Sequence, residues 1–202
     1  MEHFYTLQGE GLYSGQAAYF IRLGGCDVGC VWCDVKDSWD SGKHPLMSVK
    51  ELVDLASAHP GRIAVITGGE PCMHDLTALC AGLHGAGFRI HIETSGSSPL
   101  SGQPDWITLS PKKFKAPLNS CLKLAHELKV VVFNKSDFKW AEDHATEVGA
   151  DCRLYLQPEW TRAHLFLYHP HHSVHLLLHD PQLDHVPHGH SRVHMLPCMT
   201  AR

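Results

Sequence analysis

Three cysteines stand within eight residues, Cys26, Cys30 and Cys33, in the spacing C-x3-C-x2-C. Composition alone would place such a triplet in a chain with eight cysteines only about 0.01 times, so chance does not account for it. A fully ligated four-iron cluster takes four cysteine thiolates. Three close ligands with no near fourth leave one iron open. An open iron can chelate a small molecule, and the amino and carboxylate groups of S-adenosylmethionine (SAM) would fit it. The competing chemistry is zinc. A structural zinc site closes with four Cys or His ligands, commonly in paired C-x2-C knuckles. Here the second knuckle is missing, and the next histidine, His44, lies eleven residues beyond Cys33. The spacing therefore favours the cluster.

A second signal is Thr67-Gly68-Gly69-Glu70-Pro71, which closes a short apolar stretch. Two glycines let main-chain groups approach a ligand closely. Alone, the segment reads equally as a plain strand-to-helix turn; downstream of the cysteines, it reads as a contact for the SAM amino group.

The elements that must position these residues alternate along the chain. Residues 16–25, 62–71, 89–96, 105–112, 127–133 and 152–160 read as strands. Residues 48–61, 74–88 and 136–149 read as helices, the first capped by Ser48 with Glu51 and the last by Ser136. Leu76, Leu79 and Leu83 repeat at helical spacing. Strands alternating with helices predict an α/β fold with a parallel sheet. Functional groups gather at the carboxyl ends of such strands. The segments GGC, TGGEP, ETSG, SPK and QPEW should therefore converge.

At 202 residues, 44% hydrophobic and 19% charged, the chain can bury one real core without disulfide staples. A net charge of −4 with no long basic run argues against a direct nucleic-acid surface. No apolar run approaches the roughly 20 residues that span a bilayer. The N-terminus lacks the charged-then-apolar pattern of a secretory signal. These features predict a cytoplasmic protein, where thiols stay reduced. Cys72, Cys80, Cys121, Cys152 and Cys198 then read as small buried hydrophobes.

The pattern breaks after Trp160. Residues 161–202 contain no Lys, Glu or Trp, yet hold ten of the eighteen histidines. Neither helical period nor alternation persists. The predicted division is a core domain over 1–160 and an atypical histidine-rich tail over 161–202. Three readings of the tail compete: metal binding, loose order, and translation out of frame. The abrupt change of usage favours the last.

These residues resemble a particular family, the 7-carboxy-7-deazaguanine synthases of queuosine biosynthesis, a tRNA-modification pathway within the radical SAM superfamily. The resemblance runs through FYTLQGEG (4–11), FIRLGGC (20–26), CVWCD (30–34), TGGEP (67–71), HIETSG (91–96), LSPKKFKAPL (109–118), ELKVVVFNKSDF (127–138) and LYLQPEW (154–160). It implies a shortened radical SAM partial (β/α) barrel with parallel strands, commonly a homodimer. It also implies a [4Fe-4S] cluster on Cys26, Cys30 and Cys33, SAM as cofactor, and Mg2+ as a helper ion. The implied reaction is a lyase conversion of 6-carboxy-5,6,7,8-tetrahydropterin to 7-carboxy-7-deazaguanine with loss of ammonia. A flavodoxin- or ferredoxin-like protein would be the electron donor.

Carried across by position, Leu7, Gln8, Gly9, Arg22 and Thr67 resemble substrate-binding residues. Trp32, Cys33, Asp34, Gly69, Glu93, Ser110, Pro111, Lys112 and Gln157 resemble SAM contacts. No catalytic side chain is implied beyond the cluster and SAM. Two positions depart from the family. Val35 stands where many members place a threonine whose hydroxyl meets Mg2+, and it offers no oxygen to a hard cation. The family's closing Gln-Thr-His-Lys stretch and terminal proline do not appear after Trp160. Two other function classes remain open: a different radical SAM enzyme, such as a glycyl-radical activating enzyme, and a non-enzymatic zinc-binding module. Iron with labile sulfide distinguishes an enzyme from the module.

Overall fold

The computed structural model describes residues 1–159, Thr161 and the backbone pairing of His194–Met195. The predicted tail thus lies outside the described residues, apart from Thr161 and that pair. Eight strands form one sheet in chain order: β1 Glu2–Leu7, β2 Ala17–Leu23, β3 Ile63–Gly68, β4 Arg89–Thr94, β5 Trp106–Leu109, β6 Glu127–Val132, β7 Arg153–Pro158 and β8 His194–Met195. All neighbours from β2 onward are parallel, as alternation predicts. The exception is β1, which pairs antiparallel with β2 from Glu2↔Arg22 to Leu7↔Ala17. It was not among the predicted strands.

Helices α1 Val49–Ser57, α2 Thr77–Gly85, α3 Asn119–Leu124 and α4 Ser136–Ala145 lie in the crossovers. A right-handed crossover in sequential strand order puts every helix on the same face. The sheet therefore has one face covered by helices and one facing a lumen. The Ser48 side chain accepts from Glu51 N at 3.1 Å, as the capping pattern predicts. The other predicted cap is corrected. Ser136 is the first helical residue of α4, and its N–H donates to Asn134 Oδ1 at 2.9 Å. Asp137 in turn accepts from Phe133 N and Asn134 N, so Asn134 and Asp137 organise the turn between them.

The helix-covered face holds the apolar core. Ile21, Ala64, Ile66, Ile90 and Ile92 pack against α1 and α2 through Leu52, Leu79 and Leu83. Leu109, Leu128, Val130, Leu154 and Leu156 pack against α3 and α4 through Leu122 and Phe138. Cys72, Cys80, Cys121 and Cys152 all lie in these clusters, as small buried hydrophobes should. Burial pushes the Cys72 and Cys152 thiols up to about 12. The loop after β1 turns into the lumen. Leu12 N donates to Glu127 Oε2 at 3.1 Å, and the Tyr13 ring sits 4.3 Å from His91 and 5.0 Å from Trp106. Gly11 has φ +68°, and a side chain there would collide with the Glu127 carboxylate.

Candidate active site

The carboxyl ends of the parallel strands open on a cleft of about 620 Å3. Residues from all five predicted segments line it, including Cys26, Gly69, Thr94, Ser110 and Gln157. Cys26, Cys30 and Cys33 come from the loop after β2, whose Gly25 N donates to Ser38 O at 2.6 Å. Asp27 in that loop pairs with Lys115 Nζ at 2.6 Å, tying it to the segment after β5. On the other side, His74 Nε2 lies 2.7 Å from Gly24 O.

The two glycines of TGGEP also have a role within the fold. Gly69 N donates to Leu23 O at 2.9 Å and Glu70 N to Gly25 O at 2.8 Å. A side chain on Gly68 would meet Leu23 O at 2.2 Å, and one on Gly69 would meet Gly25 O at 2.3 Å. The close approach they permit is first of all to the cysteine loop's own backbone. Glu70, unassigned by sequence reasoning, is almost fully buried. Its carboxylate accepts from Cys72 N, Thr94 Oγ1, Ser95 N and Ser95 Oγ. It thus fastens the TGGEP turn to the end of β4, and a buried carboxylate needs such donors.

The donor set fits a cluster. Three thiols from one loop line the cleft, and the other described cysteines are committed to the core. Burial pushes the Cys26 and Cys30 thiols up, and their cysteine neighbours raise both further, while Lys112 pulls Cys30 the other way. Metal coordination is what favours the thiolate in such a setting. Among the described residues, no three His, Cys, Asp or Glu side chains close around a single ion.

The predicted contacts gather here, and only Pro111, which is buried, does not line the cleft. Gln8 Nε2 donates to Glu93 Oε1 at 3.0 Å, and Thr67 Oγ1 donates to Glu93 Oε2 at 3.2 Å. Glu93, expected beside SAM, therefore shares one hydrogen-bonded group with two expected substrate residues. Leu7 and Gly9 flank Gln8, with Leu7 at the exposed rim. Arg22 lies across β1 from Glu2, whose Oε1 is 3.2 Å from Arg22 Nε, and its guanidinium stands 5.9 Å over the Phe4 ring.

Lys112 Nζ donates to Ser110 O and Ser110 Oγ at 2.6 Å and lies 5.8 Å over the Trp32 ring. Burial and the neighbouring Lys129 pull its pKa down to about 8. Gln157 Nε2 donates to Glu10 Oε1 at 2.8 Å, while Gln157 Oε1 is buried without a partner among the described residues. Asp34 and Val35 lie on the same cleft. Sequence reasoning missed Glu10, Glu70, Lys115 and Lys129. Charged residues inside otherwise apolar parallel strands, such as Glu127 and Lys129 in ELKVVV, were the available signal.

Comparison with known proteins agrees with this geometry. The Radical SAM superfamily model matches residues 20–114. The 7-carboxy-7-deazaguanine synthase of Synechocystis sp. is 53% identical over 159 residues, covering 79% of this chain and 76% of the relative. That of Flavobacterium psychrophilum is 50% identical over 162 residues, covering 80% and 77%. The crystal structure of QueE from Escherichia coli matches with a TM-score of 0.71 at 34% identity, covering 78% of this chain and 81% of that one. With relatives this similar over most of both lengths, and a cysteine-lined cleft at the end of a parallel sheet, the chain belongs to the 7-carboxy-7-deazaguanine synthase family of radical SAM enzymes.

Proposed function

We propose that this chain converts 6-carboxy-5,6,7,8-tetrahydropterin to 7-carboxy-7-deazaguanine with loss of ammonia, a step of queuosine biosynthesis. One observation carries the reading: a single cleft joins the three thiols to the hydrogen-bonded set Gln8, Glu93 and Thr67. A space of about 620 Å3 falls within the range of about 300–1,000 Å3 in which pockets hold small ligands.

Cys26, Cys30 and Cys33 would hold the cluster, which together with SAM would supply the one-electron radical chemistry. The protein's share is binding and orientation. Arg22 offers a planar fork to the substrate carboxylate, giving up its loose pairing with Glu2. Gln8, Thr67 and Glu93 supply donors and an acceptor to the pterin edge, with Leu7 and Gly9 at the rim. Trp32, Asp34, Gly69, Ser110, Lys112 and Gln157 surround SAM. The Lys112 ammonium is the cation for its carboxylate, and the buried Pro111 joins it to Ser110. Holding both ligands in one desolvated cleft supplies proximity without any proton-transferring side chain.

A flavodoxin- or ferredoxin-like protein provides the electron, and the enzyme works as a cytoplasmic homodimer. Mg2+, where it takes part, is held by substrate and water, since Val35 brings no oxygen to the cleft. Activity should accordingly change little when Mg2+ is removed with a chelator, whereas a strict requirement would reject this role for Val35.

The test is anaerobic incubation with the carboxytetrahydropterin, SAM and a reductant. It is run on the chain as written and on a version carrying the family's usual ending after Trp160. Deazapurine and ammonia from either protein support the assignment. No product from the version with the family ending overturns it.

A further inference from the structure

Below the cleft, the lumen holds a charged group of which the proposed chemistry uses only Glu93. Glu10 from the loop after β1, Glu93 from β4, and Glu127 and Lys129 from β6 surround a void of about 10 Å3. Gln8, Tyr13, His91, Trp106 and Thr108 complete its wall. His91 is pushed down to about 4, mainly by burial, so it adds no positive charge near neutrality. Outside this wall, Lys112 lies at the level of the cleft and the Arg89 guanidinium stands 4.9 Å over the Tyr13 ring. Lys129 is therefore the lone cation among three carboxylates in this wall.

The polar contacts run in one direction. Lys129 Nζ, nearly buried, pairs with Glu10 Oε2. The other Glu10 oxygen accepts from Gln157 Nε2 at 2.8 Å. Because the amide nitrogen is turned down to Glu10, Gln157 Oε1 is left buried on the cleft wall with no partner among the described residues. A buried acceptor of that kind needs a donor from whatever fills the cleft.

We propose that Lys129 is a positioning residue that holds Glu10 ionised and thereby fixes the Gln157 amide with its oxygen toward a ligand N–H or O–H donor. The inference rests on the reading of this cleft as the SAM site. Burial alone would raise Glu10, but Lys129 and the hydrogen bond from Gln157 hold it below the usual carboxylate range. Burial alone would lower Lys129, but Glu10, Glu93 and Glu127 together raise it. Without the ammonium, burial makes Glu10 take up a proton at higher pH. A protonated Glu10 can donate to Gln157 Oε1, which flips the amide and turns its nitrogen toward the ligand.

Two measurements test this. The first follows glutamate carboxyl 13C shifts against pH in the apo chain, with Glu10→Gln identifying the resonance. Glu10 should titrate about 1–3 pH units higher in Lys129→Met and should stay near its wild-type position in Lys129→Arg. The second measures SAM affinity of the cluster-reconstituted chain between pH 6 and 8. Lys129→Met should bind SAM about tenfold more weakly, with the deficit growing as pH falls, and Lys129→Arg should restore binding.

The double variant Glu10→Gln with Lys129→Met removes both charges and so protects folding. It should bind SAM at every pH as weakly as Lys129→Met does at the lowest, with no pH dependence of its own. An unmoved Glu10 titration in Lys129→Met, or wild-type affinity in the double variant, overturns the inference. Neither readout depends on pterin turnover, so a failure here is separable from failure of the assigned reaction.

Discussion

The two faces of one sheet are built from alternate residues of the same strands, yet they differ in almost every physical respect. On the helix side stand Ile66, Ile90, Ile92, Leu128 and Val130, each nearly or fully buried. On the lumen side the alternating positions are Thr67, His91, Glu93, Glu127 and Lys129. A period of two separates the sets without a single insertion. The helix side stabilises through removal of apolar surface from water, about 25 cal/mol per Å2. The lumen side must instead satisfy every charge internally, through pairs such as Lys129 with Glu10 and groups such as Gln8, Thr67 and Glu93. Stability and chemistry are thus assigned to opposite faces, and substitutions on each should report on only one of them.

The cysteines give the sharpest trial. Cys30→Ala should abolish uptake of iron and labile sulfide while leaving the melting temperature of the apo chain nearly unchanged. Cys80→Ala, in the outer core, should load iron normally and lower the melting temperature. If both variants lost iron to the same degree, the separation of faces would fail.

A smaller but still large effect belongs to Leu83→Ala. Leu83 is fully buried between α2 and the sheet. The variant should lose about 2–5 kcal/mol in chemical denaturation and keep the SAM affinity of its folded fraction.

The smallest effect concerns the lumen and has the opposite sign. Burial raises the Glu127 carboxyl, and nearby Glu93 raises it further against the pull of Leu12 N–H and Lys129. A carboxyl raised on folding contributes stability below its unfolded pKa of about 4.3, and loses it as pH rises through the folded value. Glu127→Gln should therefore stabilise the chain by about 1 kcal/mol at pH 7, with the gain vanishing toward pH 4. Thermal melts at the two pH values measure it.

Much of this division was legible in advance, for reasons tied to particular residues. The parallel strands announced themselves as apolar runs bounded by glycines and polar signatures, and the cysteine spacing located the cleft. Helix α1 could be read from Ser48 because a capping side chain is a local signal. Other features depend on tertiary context. Strand β1 is a half-exposed edge of mixed polarity, and its six residues show no clean alternation. Helix α3 is six residues long, shorter than two turns, so no period could emerge. Glu70 looked like part of a ligand-binding turn because its four donors come from residues up to 25 positions away. Glu10 and Lys129 are 119 positions apart, and nothing local reveals that they meet.

Between the TGGEP turn and the cysteine loop there is only main chain. Gly68 and Gly69 lie against Leu23 and Gly25 backbone to backbone, and the Gly69 and Glu70 N–H groups donate to Leu23 O and Gly25 O at 2.9 and 2.8 Å. That gap works as a fixed gauge, set by covalent dimensions and not by the bulk of any side chain. The helices outside can drift through generations of volume-preserving exchanges without resetting it. A single added methyl at Gly69 would prise the TGGEP turn and the cysteine loop apart in one step.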